Sequence, residues 1–373
     1  MISLQEGIIP IVDKQKPYAL VAITKHGVAH ARSYAEKFPY ADLYYMKKFE
    51  QGDEEQRHIQ LFDGTVRLLL PALFQQYKAV ICIISLGAVV RMIAPLLVDK
   101  KQDPAVLVVD DKGQYVISVL SGHIGGANAL TQEFAQAIGA VPVITTASDV
   151  QKTITVDLFG AKFGWIWDAE DKLTPVSAAV VNEEPVAIVQ ETGEKNWWMH
   201  DTPMPTNLTI YRSTEEAIVQ KPNATLLITD RLIEQHEQIL LENGVIYRPK
   251  SIVLGIGCNR GTSFEEIEQV VKETLIEQKL SIKSVKAVAS IDLKKDEVGL
   301  LELTAKYQWA FQTYTPAELN EMPLKNPSET VFKYTGAYGV SEPAALRYAG
   351  AKELLLEKKK SGNVTISIAR IVF

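Results

Sequence analysis

Cysteine is scarce: Cys82 and Cys258, in unlike contexts, are the two in 373 residues. That excludes a disulfide framework and a thiolate metal cluster, and it fits a reducing compartment. Long apolar runs are missing as well, and a membrane helix needs about 20 such residues. The opening stretch "MISLQEGIIPIVDK" carries Gln5, Glu6 and Asp13 instead of a basic start and a long apolar core, so no signal peptide is expected. The cytoplasm is the expected location. Positive charge is not in excess: 39 Lys and Arg stand against 45 Asp and Glu, a net −6. A nucleic-acid partner, which needs a basic face, is therefore not expected, nor is a membrane. An anionic small molecule needs only a local cluster of Arg and Lys. The spacings G-x-S-x-G, G-x-x-x-x-G-K-[ST], H-E-x-x-H and C-x-x-C do not occur. Low-complexity segments and short-period repeats are absent too.

What is present is alternation of strands and helices. "YALVAIT" (18–24), "ADLYYM" (41–46), "RHIQLF" (57–62), "AVICIISL" (79–86), "AVLVVD" (105–110), "YVISVL" (115–120) and "VPVITT" (141–146) read as strands. Helical spacing fills 27–38, the stretch ending near Tyr77, 87–97, and the stretch from about Gly126. Such alternation predicts a mostly parallel sheet covered on both faces. Residues 161–248 are less regular, with strands at "PVAIVQ", "LTIYR" and "ATLLITD" and a long loop containing Trp197 and Trp198. Strand–helix order returns from "SIVLGIGCNRGTSFEEIEQVVKETL", where Thr262 and Glu265 make a capping-box pattern. Thr315-Pro316-Ala317-Glu318 opens another helix, and Lys358-Lys359-Lys360 reads as a solvated helix end. The fold class is α/β: two α/β sandwich domains with mostly parallel sheets, 1–160 and 249–373, joined by a smaller α/β middle domain, 161–248.

In an α/β sheet, ligands sit where strands hand over to helices. Four such turns carry chemistry. In Ser121-Gly122-His123-Ile124-Gly125-Gly126-Ala127-Asn128, glycines allow close backbone approach and the imidazole titrates near neutrality. The same turn could simply be tight, with His123 packed or capping. In Ser85-Leu86-Gly87-Ala88-Val89-Val90-Arg91, Arg91 suits a carboxylate or a surface ion pair. Thr145-Thr146-Ala147-Ser148-Asp149 could bond a ligand or cap a helix. Gly255-Ile256-Gly257-Cys258-Asn259-Arg260-Gly261-Thr262 lacks the G-x-G-x-x-G spacing of a dinucleotide site. Cys258 there reads as an inert thiol. His26 and His30 share a helix face and read as surface groups.

Together these turns resemble one family. The stretch "GAVVRMIAPLLVDKKQDPAVLVVDDKGQYVISVLSGHIGGANALTQEFAQAIGAVPVITTASD" (87–149), followed by "GIGCNRGTS", "ASIDLKKDEVGLLELTAKY", "TGAYGVSEPAAL" and "VTISIAR", is similar to the cobalt-precorrin-5A hydrolases (CbiG) of anaerobic cobalamin biosynthesis. Asn259 departs from the pattern, standing where the family often has a basic residue. The resemblance implies a hydrolase that opens the δ-lactone of a cobalt-tetrapyrrole and releases its two-carbon meso unit as acetaldehyde. It implies no cofactor of the protein's own, because the cobalt belongs to the substrate. Expected partners are the tetrapyrrole itself, a second copy in a homodimer, or other pathway enzymes in transient contact. The alternative is a non-catalytic tetrapyrrole carrier of the same pathway. Read back onto the residues, His123 with Ser121 is the expected catalytic pair, His123 serving as both base and acid. The N–H groups of Gly122, Gly125 and Gly126 are the expected oxyanion hole. Gly87, Arg91, Lys100, Asn128, Thr145, Thr146, Asp149, Cys258, Asn259 and Arg260 are expected to hold the substrate.

Overall fold

The structure, a computed structural model, describes residues 1–168 and 170–373. It forms two compact units, Met1–Leu158 and Phe159–Phe373. The first unit runs β1 (Tyr18–Ala22), α1 (Lys25–Lys37), β2 (Ala41–Met46), β3 (Gln60–Phe62), α2 (Val66–Gln76), β4 (Ala79–Ile83), α3 (Leu86–Ile93), β5 (Ala105–Val109), β6 (Tyr115–Leu120), α4 (Ala127–Ile138), β7 (Val141–Val143) and α5 (Ala147–Val150). The sheet order is β3-β2-β1-β4-β5-β6-β7. Strands β1 to β5 are parallel. The turn Asp111-Lys112-Gly113 then reverses the chain, so β6 is antiparallel to β5, and β7 runs parallel to β6.

Continuous apolar strands bury both faces of this sheet, as parallel strands require. Leu20, Ala22, Ile81 and Leu107 face α1 and α4, packing with Val28, Ala31 and Phe134. Alternate residues Ala19, Val21, Val80 and Val106 face the other way, packing with Leu69, Leu73, Val89 and Ile93 of α2 and α3. Residues 57–59 are not strand; only Gln60–Phe62 pairs with β2.

The second unit holds two sheets. The first contains β8 (Ile166–Asp168), β9 (Val186–Gln190), β10 (Leu208–Tyr211), β11 (Ala224–Ile228) and β12 (Gly244–Arg248), with α6 (Leu173–Val181) and α7 (Thr214–Gln220). Its order is β10-β9-β11-β12-β8, with β8 alone antiparallel to its neighbour. The other contains β13 (Ile252–Cys258), α8 (Phe264–Glu277), β14 (Val285–Ile291), α9 (Val298–Tyr307), β15 (Ala310–Tyr314), α10 (Pro316–Asn320), α11 (Glu329–Thr335), α12 (Ser341–Ala349), β16 (Leu354–Ser361) and β17 (Val364–Arg370). Its order is β15-β14-β13-β17-β16. Helices α8 and α9 cover one face, and α10 and α12 the other. All three sheets are α/β with parallel strands at their centre. No helix among the described residues is long and apolar enough to cross a membrane.

Two local expectations change. Lys358, Lys359 and Lys360 lie on the edge strand β16, not at a helix end; charged side chains on such an edge deter pairing with a foreign strand. The cap of α8 is Ser263, whose hydroxyl accepts from Glu266 N, while Thr262 Oγ1 donates to Asn259 O at 2.8 Å. The box at Thr315 and Glu318 forms as its spacing predicts.

Candidate active site

Strand direction sorts the predicted residues. Because β6 and β7 run against β1–β5, their carboxyl ends share the edge where β5 begins. The register places Leu120 beside Val106, and Val106 beside Val80 at the start of β4. The turns after β6 and β7 therefore meet each other. Gly87 follows the far end of β4 and stands at the opposite edge. Arg91 stays with it, its Nη1 donating to Gly87 O at 3.3 Å. Gly87 and Arg91 thus do not join the group around His123. The apolar pattern of β6 is the same for either strand direction, which is why the sequence alone merged the two edges.

At the shared edge the turn 121–126 is held tightly. Ser121 adopts φ +57 and Gly126 φ +82. Ala127 N donates to Ser121 O at 3.0 Å, Asn128 N to Gly122 O at 2.9 Å, and Gly126 N to His123 O at 2.9 Å. A Cβ on Gly125 would lie 2.3 Å from Ser121 Cβ, and one on Gly122 would lie 2.9 Å from Asn128 Oδ1. Position 125 therefore requires glycine, while a side chain at 122 would push on the Asn128 amide. The Gly126 N–H is already used, which removes it from the expected oxyanion hole; among the described residues the N–H groups of Gly122 and Gly125 have no such partner. Ser121 Oγ donates to Asp103 O at 2.9 Å, and the hydroxyl near the imidazole is instead Ser148 Oγ, at 3.2 Å from Nε2. Ser121 anchors the turn to the start of β5 and does not pair with His123.

Two carboxylates bracket His123. Its Nε2 lies 3.1 Å from Asp149 Oδ2 and its Nδ1 lies 3.2 Å from Asp157 Oδ1. The side chains of His123, Asp149 and Asp157 keep 20%, 31% and 17% of their surface, so the group faces solvent and is not packed into the core. Asp157, and then Asp149, hold the imidazole above its ordinary range, against the lowering effect of burial. The ring is thereby held toward the imidazolium, a proton donor. Asn128, 6% exposed, fastens the cluster from α4. Its Nδ2 donates to Thr146 Oγ1 at 2.7 Å and to Asp149 Oδ2 at 2.9 Å, while its Oδ1 accepts from Ser118 Oγ at 2.7 Å. Thr146 is the N-cap residue of α5 but makes no side-chain cap bond; its hydroxyl serves Asn128 instead. Thr145 and Lys100 are exposed. Lys100 lies in the segment entering β5, on the same edge as His123, because residues 98 and 103 are tied together there through Asp103.

Asp157 is the member that sequence reasoning missed. It sits in "TITVDLFG", beyond the end of α5, with no turn signature of its own. No spacing rule links it to position 123.

In the second unit, Cys258, Asn259 and Arg260 end β13. Burial pushes the Cys258 thiol up, away from the reactive thiolate. Asn259 Nδ2 donates to Asn363 Oδ1 at 2.7 Å. Arg260 already holds Asp296 at 2.7 Å and Leu293 O at 3.0 Å. An open groove of ≈ 360 Å³ adjoins it, but Glu265, Asp296, Glu297 and Glu302 outnumber Arg260 in the lining. Such a groove repels anions. Asn259 and Arg260, expected to hold the substrate, thus already have protein partners at the end of β13.

The fold and the cluster define a multi-sheet α/β protein with a histidine between two carboxylates at the strand ends of its first sheet. Three family models match it in chain order: Cobalamin synthesis G N-terminal over residues 69–149, Cobalamin biosynthesis central region over 154–249, and Cobalamin synthesis G C-terminus over 252–369. The chain belongs to the cobalt-precorrin-5A hydrolase family. It is 60% identical to the cobalt-precorrin-5A hydrolase of Priestia megaterium over 373 residues, 100% of each chain. It is 33% identical to that of Salmonella typhimurium, covering 95% of this chain and 98% of the other. Protein CobE of Sinorhizobium sp is 35% identical over 121 residues, 32% of this chain and 79% of its own length.

Proposed function

We propose that this chain hydrolyses cobalt-precorrin-5A, opening the δ-lactone and releasing the two-carbon meso unit as acetaldehyde to give cobalt-precorrin-5B. The observation that carries the reading is 60% identity over 373 residues to a cobalt-precorrin-5A hydrolase. Cobalt enters as part of the substrate, and no resident cofactor is assigned. The reaction takes place in the cytoplasm.

The chemistry asks for three things of the protein. A proton must reach the ring carbon that loses the two-carbon unit, and His123, biased toward its protonated form by Asp157 and Asp149, supplies it. A positioned acid of this kind contributes about 10²–10⁴ in rate. Negative charge on the lactone oxygen must be met, and the unengaged N–H groups of Gly122 and Gly125 serve, each worth roughly 3 kcal/mol. The carboxylate arms of the macrocycle need a cation, and Lys100 stands exposed on the same edge.

The test is anaerobic incubation of the purified chain with cobalt-precorrin-5A, reading acetaldehyde through a coupled alcohol dehydrogenase. Release of acetaldehyde is expected, falling at least 100-fold in His123→Gln. A shifted corrinoid spectrum with no acetaldehyde would instead mark a carrier.

A further inference from the structure

A carboxylate oxygen stands 3.1 Å from one nitrogen of the His123 imidazole and 3.2 Å from the other. Such a pair favours the ring protonated on both nitrogens, a form with no lone pair to offer. A donor so placed does not also accept the proton of a water molecule. The hydrolysis needs such an acceptor.

Asp149 has the geometry for it. Its Oδ2 accepts from His123 Nε2 at 3.1 Å and from buried Asn128 Nδ2 at 2.9 Å. These two bonds fix the carboxylate plane. Its Oδ1 has no hydrogen-bond partner among the described residues, and the side chain keeps 31% of its surface. One oxygen is anchored and the other is presented to solvent. Asp157 differs: it is more enclosed, at 17%, and it meets the far nitrogen of the ring.

We propose that Asp149 Oδ1 is the general base of the hydrolysis, that His123 is its paired acid, and that Asp157 is a positioning residue holding the imidazole between them. The proposal rests on the reaction assigned above. Asp149 takes one proton from water as the oxygen attacks the lactone carbonyl. The acyl–oxygen bond breaks and leaves an alkoxide on the two-carbon unit. That alkoxide forms the C=O of acetaldehyde as its bond to the macrocycle breaks, the electron pair passing to the ring carbon. His123 gives that carbon its proton. The proton held by Asp149 then returns to His123, 3.1 Å away, and the site is restored. One water is consumed and no oxidant or reductant is needed.

The assay is acetaldehyde release from cobalt-precorrin-5A by the full chain. Asp149→Asn is expected to lower kcat at least 100-fold with KM little changed, and formate is expected to restore part of the rate to Asp149→Ala. Asp157→Asn is expected to keep a reduced kcat while its alkaline limb moves to lower pH, because the groups facing the ring are Asp157, Asp149 and the neutral Ser148 hydroxyl. Asp149→Asn turning over within about threefold of wild type overturns the proposal. Nitrogen-15 spectra of wild-type histidine provide a check that needs no variant. Two protonated ring nitrogens on His123 at neutral pH are expected, and a neutral tautomer there overturns it. A wild-type chain that releases no acetaldehyde ends the reaction assignment and this proposal with it, whereas an active wild type beside an active Asp149→Asn ends the proposal alone.

Discussion

At the scale of single residues, the raised pKa of His123 ties stability to pH. Its folded pKa is raised, chiefly by Asp157. A group of that kind binds its proton more tightly in the folded chain than in the unfolded one. Its contribution is therefore complete below the ordinary imidazole range near 6.5 and is lost as pH rises through the elevated folded value. Urea unfolding should show wild type more stable than His123→Gln by a margin that is full at pH 6 and shrinks by pH 9. A margin that grows with pH would mean that the ring folds in neutral. The residue types of this cluster were legible in part. Ser121, His123, Asn128, Thr146 and Asp149 lie in two short motifs, and turn chemistry pointed to both. Asp157 was not legible, because what selects it is proximity in the folded chain.

At the scale of elements, the same residue type does opposite things in two turns. Gly125 is forced: a Cβ would meet Ser121 Cβ at 2.3 Å and Ser121 O at 2.8 Å. Gly87 lies in the first turn of α3, and the nearest atom to a Cβ there is Arg91 Nη1 at 3.6 Å. Gly125→Ala should lose about 1–3 kcal/mol and most activity, since backbone must move. Gly87→Ala should be neutral or gain about 0.5–1 kcal/mol with unchanged turnover, as expected for glycine in an open helix position. Thermal melts paired with the acetaldehyde assay check both. Elements were legible where periodicity was strong, as in β1, β4, β5 and α8. They were hidden where composition ran against type. The lysines of "LLLEKKKS" masked the edge strand β16, and Pro175 obscured α6.

At the scale of the molecule, the first compact unit ends at Leu158, just after Asp157. A fragment of residues 1–158 carries the whole His123 cluster, whereas one of residues 1–150 lacks Asp157. Both keep all seven strands of the sheet. Histidine titration by NMR should show the raised His123 pKa in the longer fragment and a lower value in the shorter one. Equal values would remove Asp157 from the role given to it.

The sequence by itself determined that the chain is α/β and that its motifs are those of the cobalt-precorrin-5A hydrolases. These follow from local periodicity and from residues close together in the chain. Only the tertiary structure decided which turns meet. A strand of alternating or continuous apolar residues packs equally well in either direction, so the reversal at β6 left no mark in the apolar pattern. That reversal joins the turn at His123 to α5 and to Asp157, and leaves Gly87 and Arg91 at the other edge.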